Sequence, residues 1–206
     1  QSQIMTHYPK NITLSKEITD QEVKLTKEQR EMVLVPDVLS DLLEQIAFEA
    51  RKSEYVDAKS GVSARLTIAA YENMVSSAER RAIINGEKKT VARVADLMNV
   101  VPAIIGKIEM VYEGEQEGAM NVAHAIVQAA IRTMITKYFP ELKDLKKNKT
   151  EEAEMYKTVL NSFANNVIDI ETDFSDKIYH EELSQIPGIV KLIDTKLPKL
   201  PKAEKV

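Results

Sequence analysis

Apolar residues after Pro36 recur at the spacing of an α-helix, and this pattern constrains the fold more than any other feature of the chain. Successive steps of three and four residues keep side chains on one face of a helix with 3.6 residues per turn. The residues on this face are Leu39, Leu42, Leu43, Ile46, Ala47 and Ala50. Pro36 and Asp37 suit the first turn, where a fixed backbone angle and a negative charge are favourable. The pattern predicts a buried helix that ends at about Arg51 or Lys52.

Similar apolar stripes predict further helices along most of the chain. Their expected bounds are about 63–84, 93–109, 119–139, 150–167, 175–185 and 187–197, with a short solvated helix over about 15–30. Pro102 is expected to kink or split the helix over 93–109, and Thr90 with Val91 to form a short extended piece. Six glycines and seven prolines are few for 206 residues, whereas sandwiches and barrels need many turn residues. We therefore predict an all-α fold.

The stripes also predict which side chains are buried. In the helix over 63–84 these are Leu66, Ile68, Tyr71, Met74, Val75, Ala78, Ala82 and Ile83. In the helix over 119–139 they are Val122, Ala125, Ile126, Ala129, Ala130 and Met134, and in the helix over 150–167 they are Tyr156, Val159, Leu160, Phe163 and Val167. These faces supply the predicted core.

Composition excludes several classes of function. A net charge of −4 gives no field that would collect phosphates, so nucleic-acid binding is not expected. Without cysteine there is no disulfide, thiolate zinc site or cysteine nucleophile. No uncharged apolar run reaches about 18 residues, and the start lacks a signal-peptide pattern, so we expect no membrane span and a cytoplasmic location. Because the chain begins at Gln1 rather than Met, we expect it to be a piece of a longer protein.

Most enzyme motifs are missing from the sequence. The one Gly-Lys pair, Gly106-Lys107, has Val101 and Ile108 where a phosphate-binding loop needs glycine and Ser or Thr. VIDIE (167–171) and IVKLID (189–194) look like strands that end in a magnesium-binding acid, but without a phosphate-binding loop they are interpreted as edges of ordinary elements. Nothing here supports catalysis by these residues alone.

Three weaker patterns remain open as functional sites. The segment YEGEQEG (112–118) is predicted to be an acidic loop in which Glu113, Glu115 and Glu117 would hold a hard cation with His124, or simply be solvated. Basic residues cluster near the end of the helix over 63–84, where the helix dipole favours them and where they would also suit docking or phosphate binding. These basic residues are Arg80, Arg81, Lys88, Lys89 and Arg93.

The stretch KSGVSARLTI (59–68) carries a more specific signal. Ser60 or Ser63 is expected to cap the following helix, which puts Arg65 in its first turn. A cation in the first turn destabilises a helix by about 0.3–1 kcal/mol, because it lies at the positive end of the helix dipole. Either Arg65 is solvated and this cost is tolerated, or Arg65 binds an anion. Gly61 permits a tight turn, and a helix N-terminus with an arginine fork suits a phosphate. The sequence holds no second half of a nucleotide site, so we expect Arg65 to face solvent.

Three stretches of this chain resemble the C-terminal part of AAA+ ATPases of the magnesium-chelatase subunit I and MoxR clade, in particular the helix-extended magnesium chelatase-like relatives. THYP (6–9) resembles the turn after the last strand of the ATPase core. GVSARL (61–66) resembles the Gly-x-Ser-x-Arg motif that opens a lid helix, and AERRAIINGEKKTVARVADL (78–97) resembles the rest of the lid. SGVSARL with GKIEMVYEGEQEG (106–118) is similar to the magnesium chelatase-like subgroup.

The resemblance implies a division of the chain and a role for one arginine. It implies an entry arm from an ATPase core over 1–32, a lid over 33–110, a helical extension over 111–197 and a flexible tail over 198–206. Arg65 matches the sensor-2 arginine, which reaches the γ-phosphate of ATP held with Mg²⁺ by the core. The phosphate-binding loop, the magnesium-binding acid and the arginine finger of that core are absent from these residues, so no ATP hydrolysis is expected from them alone.

Partners follow from the same resemblance. The full-length protein is expected to be a ring-forming ATPase that remodels a protein client, with no cofactor bound to these residues alone. An alternative reading is a stand-alone α-helical adaptor that binds a partner helix in an apolar groove, with Arg65 a surface residue. A metalloprotein that uses the acidic segment and His124 is a third reading.

Overall fold

The computed structural model describes residues 7–139, 151–165 and 170–198, and they confirm the predicted all-α fold. Helices account for nearly all of the regular structure, and the described strands are two residues long each. The α-helices are α1 (Ile12–Glu22), α2 (Lys27–Met32), α3 (Asp37–Lys52), α4 (Arg65–Asn85), α5 (Val101–Ile105), α6 (Tyr112–Glu117), α7 (Ala119–Tyr138), α8 (Glu151–Asn165), α9 (Asp176–Ser184) and α10 (Ile189–Lys196). The strands are β1 (Val33–Leu34) and β2 (Thr90–Val91), and a 3₁₀ helix spans Val94–Val100.

Helix α3 is the centre of the main core. Every residue of its predicted apolar face is buried, and Ile46, Ala47 and Ala50 have no exposed surface. It packs against α7, whose Val122, Ile126, Ala130 and Met134 are also buried, whereas Ala125 is exposed. Helix α7 therefore shares one core with α3 and α4. The predicted domain bounds stay a prediction.

The predicted apolar face of helix α4 is confirmed except at one position. Leu66, Met74, Val75, Ala78 and Ala82 are buried as predicted, and Ile68 and Tyr71 are half-buried. The prediction for Ile83 is wrong, because 63% of its surface is exposed. The side chain that completes the stripe is instead Arg81, at 1% exposure. A charged residue thus occupies a core position on this helix.

A two-stranded parallel sheet pairs the chain just before α3 with the chain after α4. β1 pairs with β2 so that Val33 faces Thr90 and Leu34 faces Val91, which confirms the short extended piece predicted at Thr90–Val91. The following chain was expected to be one helix over about 93–109 with a break at Pro102. The break is confirmed, since the 3₁₀ helix ends where α5 begins, but the helical part stops at Ile105. Proline lacks an N–H donor and is tolerated only near a helix start, which is where it lies in α5.

The prediction of one solvated helix over about 15–30 is wrong. Two helices form instead, because Asn11 caps α1 and Thr26 with Gln29 makes a reciprocal capping box on α2. Helix α1 packs on α3 and α4, and it buries the hydroxyls of Ser15 and Thr19 rather than a hydrophobic face. The sequence pattern was weak here because the buried face is polar.

A buried carboxylate on α3 holds α1 in place. Glu44 is 1% exposed, and its carboxylate accepts hydrogen bonds from Ser15 Oγ and, at 2.6 Å, from Thr19 Oγ1. Burial raises the pKa of Glu44, against the opposite effects of these two hydroxyls and of Arg51. Loss of water around the charged form outweighs the hydrogen bonds that favour it.

Glu44 should make stability fall as pH rises. A carboxyl whose folded pKa lies above its unfolded value stabilises the fold fully below the unfolded pKa, and this contribution is lost as pH rises through the folded pKa. Glu44→Gln removes the titration, and its amide can still exchange hydrogen bonds with the two hydroxyls. We expect the free energy of unfolding of wild type, relative to Glu44→Gln, to decrease from about pH 4 to pH 8 in urea titrations.

The control is Glu22→Gln, an exposed residue at the end of α1. A difference between wild type and Glu44→Gln that stays constant or increases with pH would contradict the raised pKa.

The C-terminal helices form a second, smaller core. Tyr156, Val159 and Leu192 are buried between α8 and α10, as predicted for the first two. The predictions for Leu160 and Phe163 are wrong, because these side chains are 45% and 52% exposed. Thr150, Val167 and the tail beyond residue 198 lie outside the described residues.

Within the described residues, no helix is both long and apolar enough to cross a membrane.

Candidate functional site

Helix α4 begins at Arg65, which fixes where this arginine can act. The expectation that a serine caps the helix is wrong: residue 64 is the N-cap and makes no side-chain cap bond. Ser63 contributes its carbonyl, which accepts from Leu66 N at 3.1 Å, and Ser60 Oγ donates to Asp57 Oδ2 at 3.1 Å and to Glu109. The start of the helix therefore presents Arg65 rather than a capping hydroxyl.

Arg65 is exposed, as predicted. Its Nε donates to Ser63 Oγ at 3.3 Å, which the sequence did not predict. Among the described residues, Nη1 and Nη2 have no hydrogen-bond or ion-pair partner. The planar end of the guanidinium is thus available to an anion that approaches from solvent.

The loop before α4 is held by an aromatic side chain from the N-terminal segment. Gly61 has φ +67°, a conformation that side chains with a Cβ rarely adopt. A Cβ there would lie 1.8 Å from Tyr8 Oη, so the absent side chain makes room for the tyrosine. Tyr8 Oη in turn accepts a hydrogen bond from Val62 N at 3.1 Å. The stretches THYP and GVSARL, which carry the resemblance, therefore meet in the fold.

A second arginine, Arg51, lies under this loop, and it was not predicted as a site residue from the sequence. The Arg51 guanidinium lies 4.5 Å from the Tyr8 ring centre and 5.2 Å from that of Phe48, and its Nε donates to Val62 O at 3.1 Å. Its Nη1 and Nη2 are buried and have no hydrogen-bond partner among the described residues. Burial lowers the pKa of Arg51, and Tyr8 and Glu44 oppose that effect. Arg51 lies in the last turn of α3, and Tyr8 lies far earlier in the chain, so no local sequence pattern connects the two.

The opposite side of the loop is fastened to the segment before α6. Asp57 N donates to Glu109 O at 2.8 Å, and Val111 N donates to Tyr55 O at 3.1 Å. Gly114 permits this approach, because a Cβ there would lie 2.5 Å from Tyr55 O. The loop that presents Arg65 is therefore supported from both sides, by Tyr8 and by the chain at 109–111. A fixed loop positions Arg65 at little entropic cost.

The other predicted sites are placed differently. Residues 112–117 form helix α6 rather than a loop, with Glu113, Glu115 and Glu117 exposed on it, and His124 is half-buried on α7. In the part of the chain that the structure describes, no group of three His, Cys, Asp or Glu side chains could hold a metal ion.

The basic residues near the end of α4 are split by the fold. Arg80, Lys88 and Lys89 are exposed, whereas Arg81 and Arg93 are buried against carboxylates. Arg80 Nη1 lies 3.8 Å from Asp173 Oδ1 at the surface. The cluster is thus not a single exposed patch, and its buried members act within the fold.

The chain matches no protein-family model, no curated protein and no solved structure. Arg65, Gly61 and Tyr8 are the residues whose geometry bears on function. What this arrangement can do chemically is to offer an exposed guanidinium to an anionic group.

Proposed function

We propose that these residues form the lid and C-terminal region of a magnesium chelatase-like AAA+ ATPase of the MoxR clade, in which Arg65 is the sensor-2 arginine. The observation that carries the proposal is the first residue of α4, an exposed arginine whose Nη1 and Nη2 are unpaired within the described residues. Its fixed positive charge fits the γ-phosphate of ATP. ATP and Mg²⁺ would be held by the ATPase core, which would supply the hydrolysis.

The residues of this chain would position the arginine and transmit its movement. Gly61 and Tyr8 fix the loop, and α4 extends from Arg65 into the main core. A charge-assisted contact with phosphate is worth about 1.5–3 kcal/mol, enough to favour a closed lid while the phosphate is present. Its loss would release the lid, and the C-terminal helices would pass that change to a neighbouring subunit of a ring or to a protein client.

The test is Arg65→Ala in the full-length protein. We expect kcat/KM for ATP hydrolysis to fall by about 10- to 150-fold, which is the loss of a charge-assisted contact expressed as a rate. Arg65→Lys should recover only part of this, because an ammonium lacks the planar fork.

Arg80→Ala is the matched control, since Arg80 is also exposed on α4 but lies at its other end. ATP turnover and nucleotide-dependent assembly that are unchanged in Arg65→Ala would refute the assignment.

A stand-alone adaptor is the second candidate. It is favoured by Ile83 and Ile84, which are 63% and 56% exposed at the end of α4. The reading frame upstream of Gln1 separates the two: an in-frame phosphate-binding loop supports the ATPase, and a start codon at Met5 preceded by a stop supports the adaptor.

A further inference from the structure

One carboxylate near the C-terminal end of the described chain is surrounded by four donors. Asp176 Oδ1 accepts hydrogen bonds from Arg81 Nη1 at 2.9 Å, from Thr90 Oγ1 at 3.0 Å and from Arg93 Nη2. Its other oxygen, Oδ2, accepts from Val91 N at 3.1 Å. Arg81 lies near the end of α4, Thr90 and Val91 form β2, and Arg93 follows β2. The donors that surround this carboxylate therefore come from different elements of the fold. We call Arg81, Thr90, Val91 and Arg93 the anion cradle.

The charges of the cradle require an anion. The side chains of Arg81 and Arg93 are 2% and 5% exposed, so both guanidinium groups are largely removed from water. Asp96, itself 5% exposed, pairs with Arg81 at 3.0 Å, and Asp176 is the other carboxylate that bonds these arginines. Two buried cations thus share two carboxylates, and removal of Asp176 would leave one positive charge uncompensated. A buried charge without a partner is strongly unfavourable.

The segment that supplies Asp176 docks through polar contacts. Asp176 N donates to Glu87 Oε1 at 2.9 Å, Arg93 Nη1 donates to Phe174 O at 2.8 Å, and Asn85 Nδ2 donates to Asp173 O at 2.8 Å. The Arg93 guanidinium also lies 4.0 Å from the ring centre of Tyr179. Helix α9 is described in full and contains no buried residue. Its contacts with the main core are therefore mainly polar and charged, beside the half-buried Tyr179 that packs on Arg93.

The cradle is also open on one side. A cavity of about 370 Å³ borders it, and Arg93, Asp176 and His180 are among the lining residues, together with Pro36 and Leu39. A small anion can therefore reach Arg93 without unfolding the core.

We propose that the anion cradle is a carboxylate-binding site, and that residues 173–184 form a latch whose bound ligand is the side chain of Asp176. The latch fastens the C-terminal helices to α4 and β2. It opens when the carboxylate is removed, and a free carboxylate of small size then takes its place. This site is independent of the proposed ATPase function, because none of its residues touches Arg65.

Hydrogen exchange tests the latch in the chain as it stands, without nucleotide. Asp176→Asn is nearly isosteric but carries no charge. We expect backbone amides of 177–184 to exchange at least about tenfold faster in this variant, while those of α3 and α7 keep their protection. Asp173→Asn is the matched control, because Asp173 is 51% exposed and pairs only loosely with Arg80. Equal exchange of 177–184 in wild type and Asp176→Asn would overturn the latch.

Acetate tests the binding site itself. In Asp176→Ala, sodium acetate should raise the melting temperature above that given by sodium chloride at the same concentration, because it refills the cradle. Wild type should show no such difference. An Asp176→Ala variant that responds equally to both salts would overturn the carboxylate site.

If either single variant does not fold, Asp176→Asn with Arg93→Gln restores the charge balance and keeps the test available. This double variant should fold but still show the fast exchange of 177–184, and it should lose the specific response to acetate. Slow, wild-type exchange in the double variant would overturn the proposal. Because no ATP is present, failure here leaves the test of Arg65 unaffected.

Discussion

Replacing Arg81 by methionine is expected to lower the free energy of unfolding by about 3–5 kcal/mol. Arg81 is almost fully buried, and it donates to Thr90 Oγ1 at 2.7 Å, to Val91 O at 2.9 Å, to Asp96 at 3.0 Å and to Asp176 at 2.9 Å. Methionine fills similar space but leaves a buried carboxylate without its cation. The cost is dominated by that carboxylate rather than by the lost attraction itself.

Arg80→Met is the control for this measurement. Arg80 is adjacent in sequence, but its side chain is 68% exposed and its nearest carboxylate is at 3.8 Å. We expect a change of no more than about 0.5 kcal/mol, as for exposed ion pairs in general. Urea or guanidinium titrations of the two variants give the comparison. A loss below about 1 kcal/mol in Arg81→Met would contradict the assignment of Arg81 to a buried charged network.

The helical architecture was accessible from the sequence because the apolar faces are regular. The apolar face of α3 was predicted residue by residue, since its members repeat every three or four positions, but the buried Glu44 beside them was not predicted. The burial of Arg81 was not predicted. This arginine lies three residues after Ala78 and seven after Met74, which places it on the buried face, but charged side chains are seldom buried without a partner. Its carboxylate partners are Asp96 and Asp176, 15 and 95 residues later, and no local pattern connects Arg81 with either.

In the candidate site too, the features that depend on local sequence were predicted and those that depend on distant residues were not. The position and exposure of Arg65 follow from a local helix start, so the sequence identified them. The support from Tyr8 and Arg51 did not follow, because it depends on the N-terminal segment packing against a loop more than fifty residues away. Gly61 was identified only as a residue that permits a turn. Its second property, room for the Tyr8 hydroxyl, exists only in the folded chain.

The space that Gly61 leaves for the Tyr8 hydroxyl predicts a large loss of stability when a side chain is added there. Gly61→Ala should lower the free energy of unfolding by about 2–4.5 kcal/mol. About 1–2 kcal/mol of this is the cost of a Cβ in the left-handed region. The remainder comes from displacing Tyr8, which loses the hydrogen bond from Val62 N, worth about 0.5–1.5 kcal/mol, and the contact with the Arg51 guanidinium, worth about 0.5–1 kcal/mol.

Gly86 separates these two contributions. It has the same φ of +67° at the end of α4, but a Cβ there meets no atom within 4 Å among the described residues. Gly86→Ala should therefore cost only the backbone term, about 1–2 kcal/mol. The difference in free energy of unfolding between the two alanine variants then measures how much the contacts of Tyr8 stabilise the loop that presents Arg65.

A third substitution turns this difference into a direct test. In a Tyr8→Ala background the obstructing hydroxyl is gone, so Gly61→Ala and Gly86→Ala should cost the same in urea titrations. The coupling between residues 8 and 61 should be about 1–2.5 kcal/mol, which is the sum of the hydrogen bond and the arginine contact that Tyr8 makes in the wild type. If Gly61→Ala keeps its excess cost without Tyr8, the loop is held by other contacts, and the meeting of the two stretches does not position Arg65.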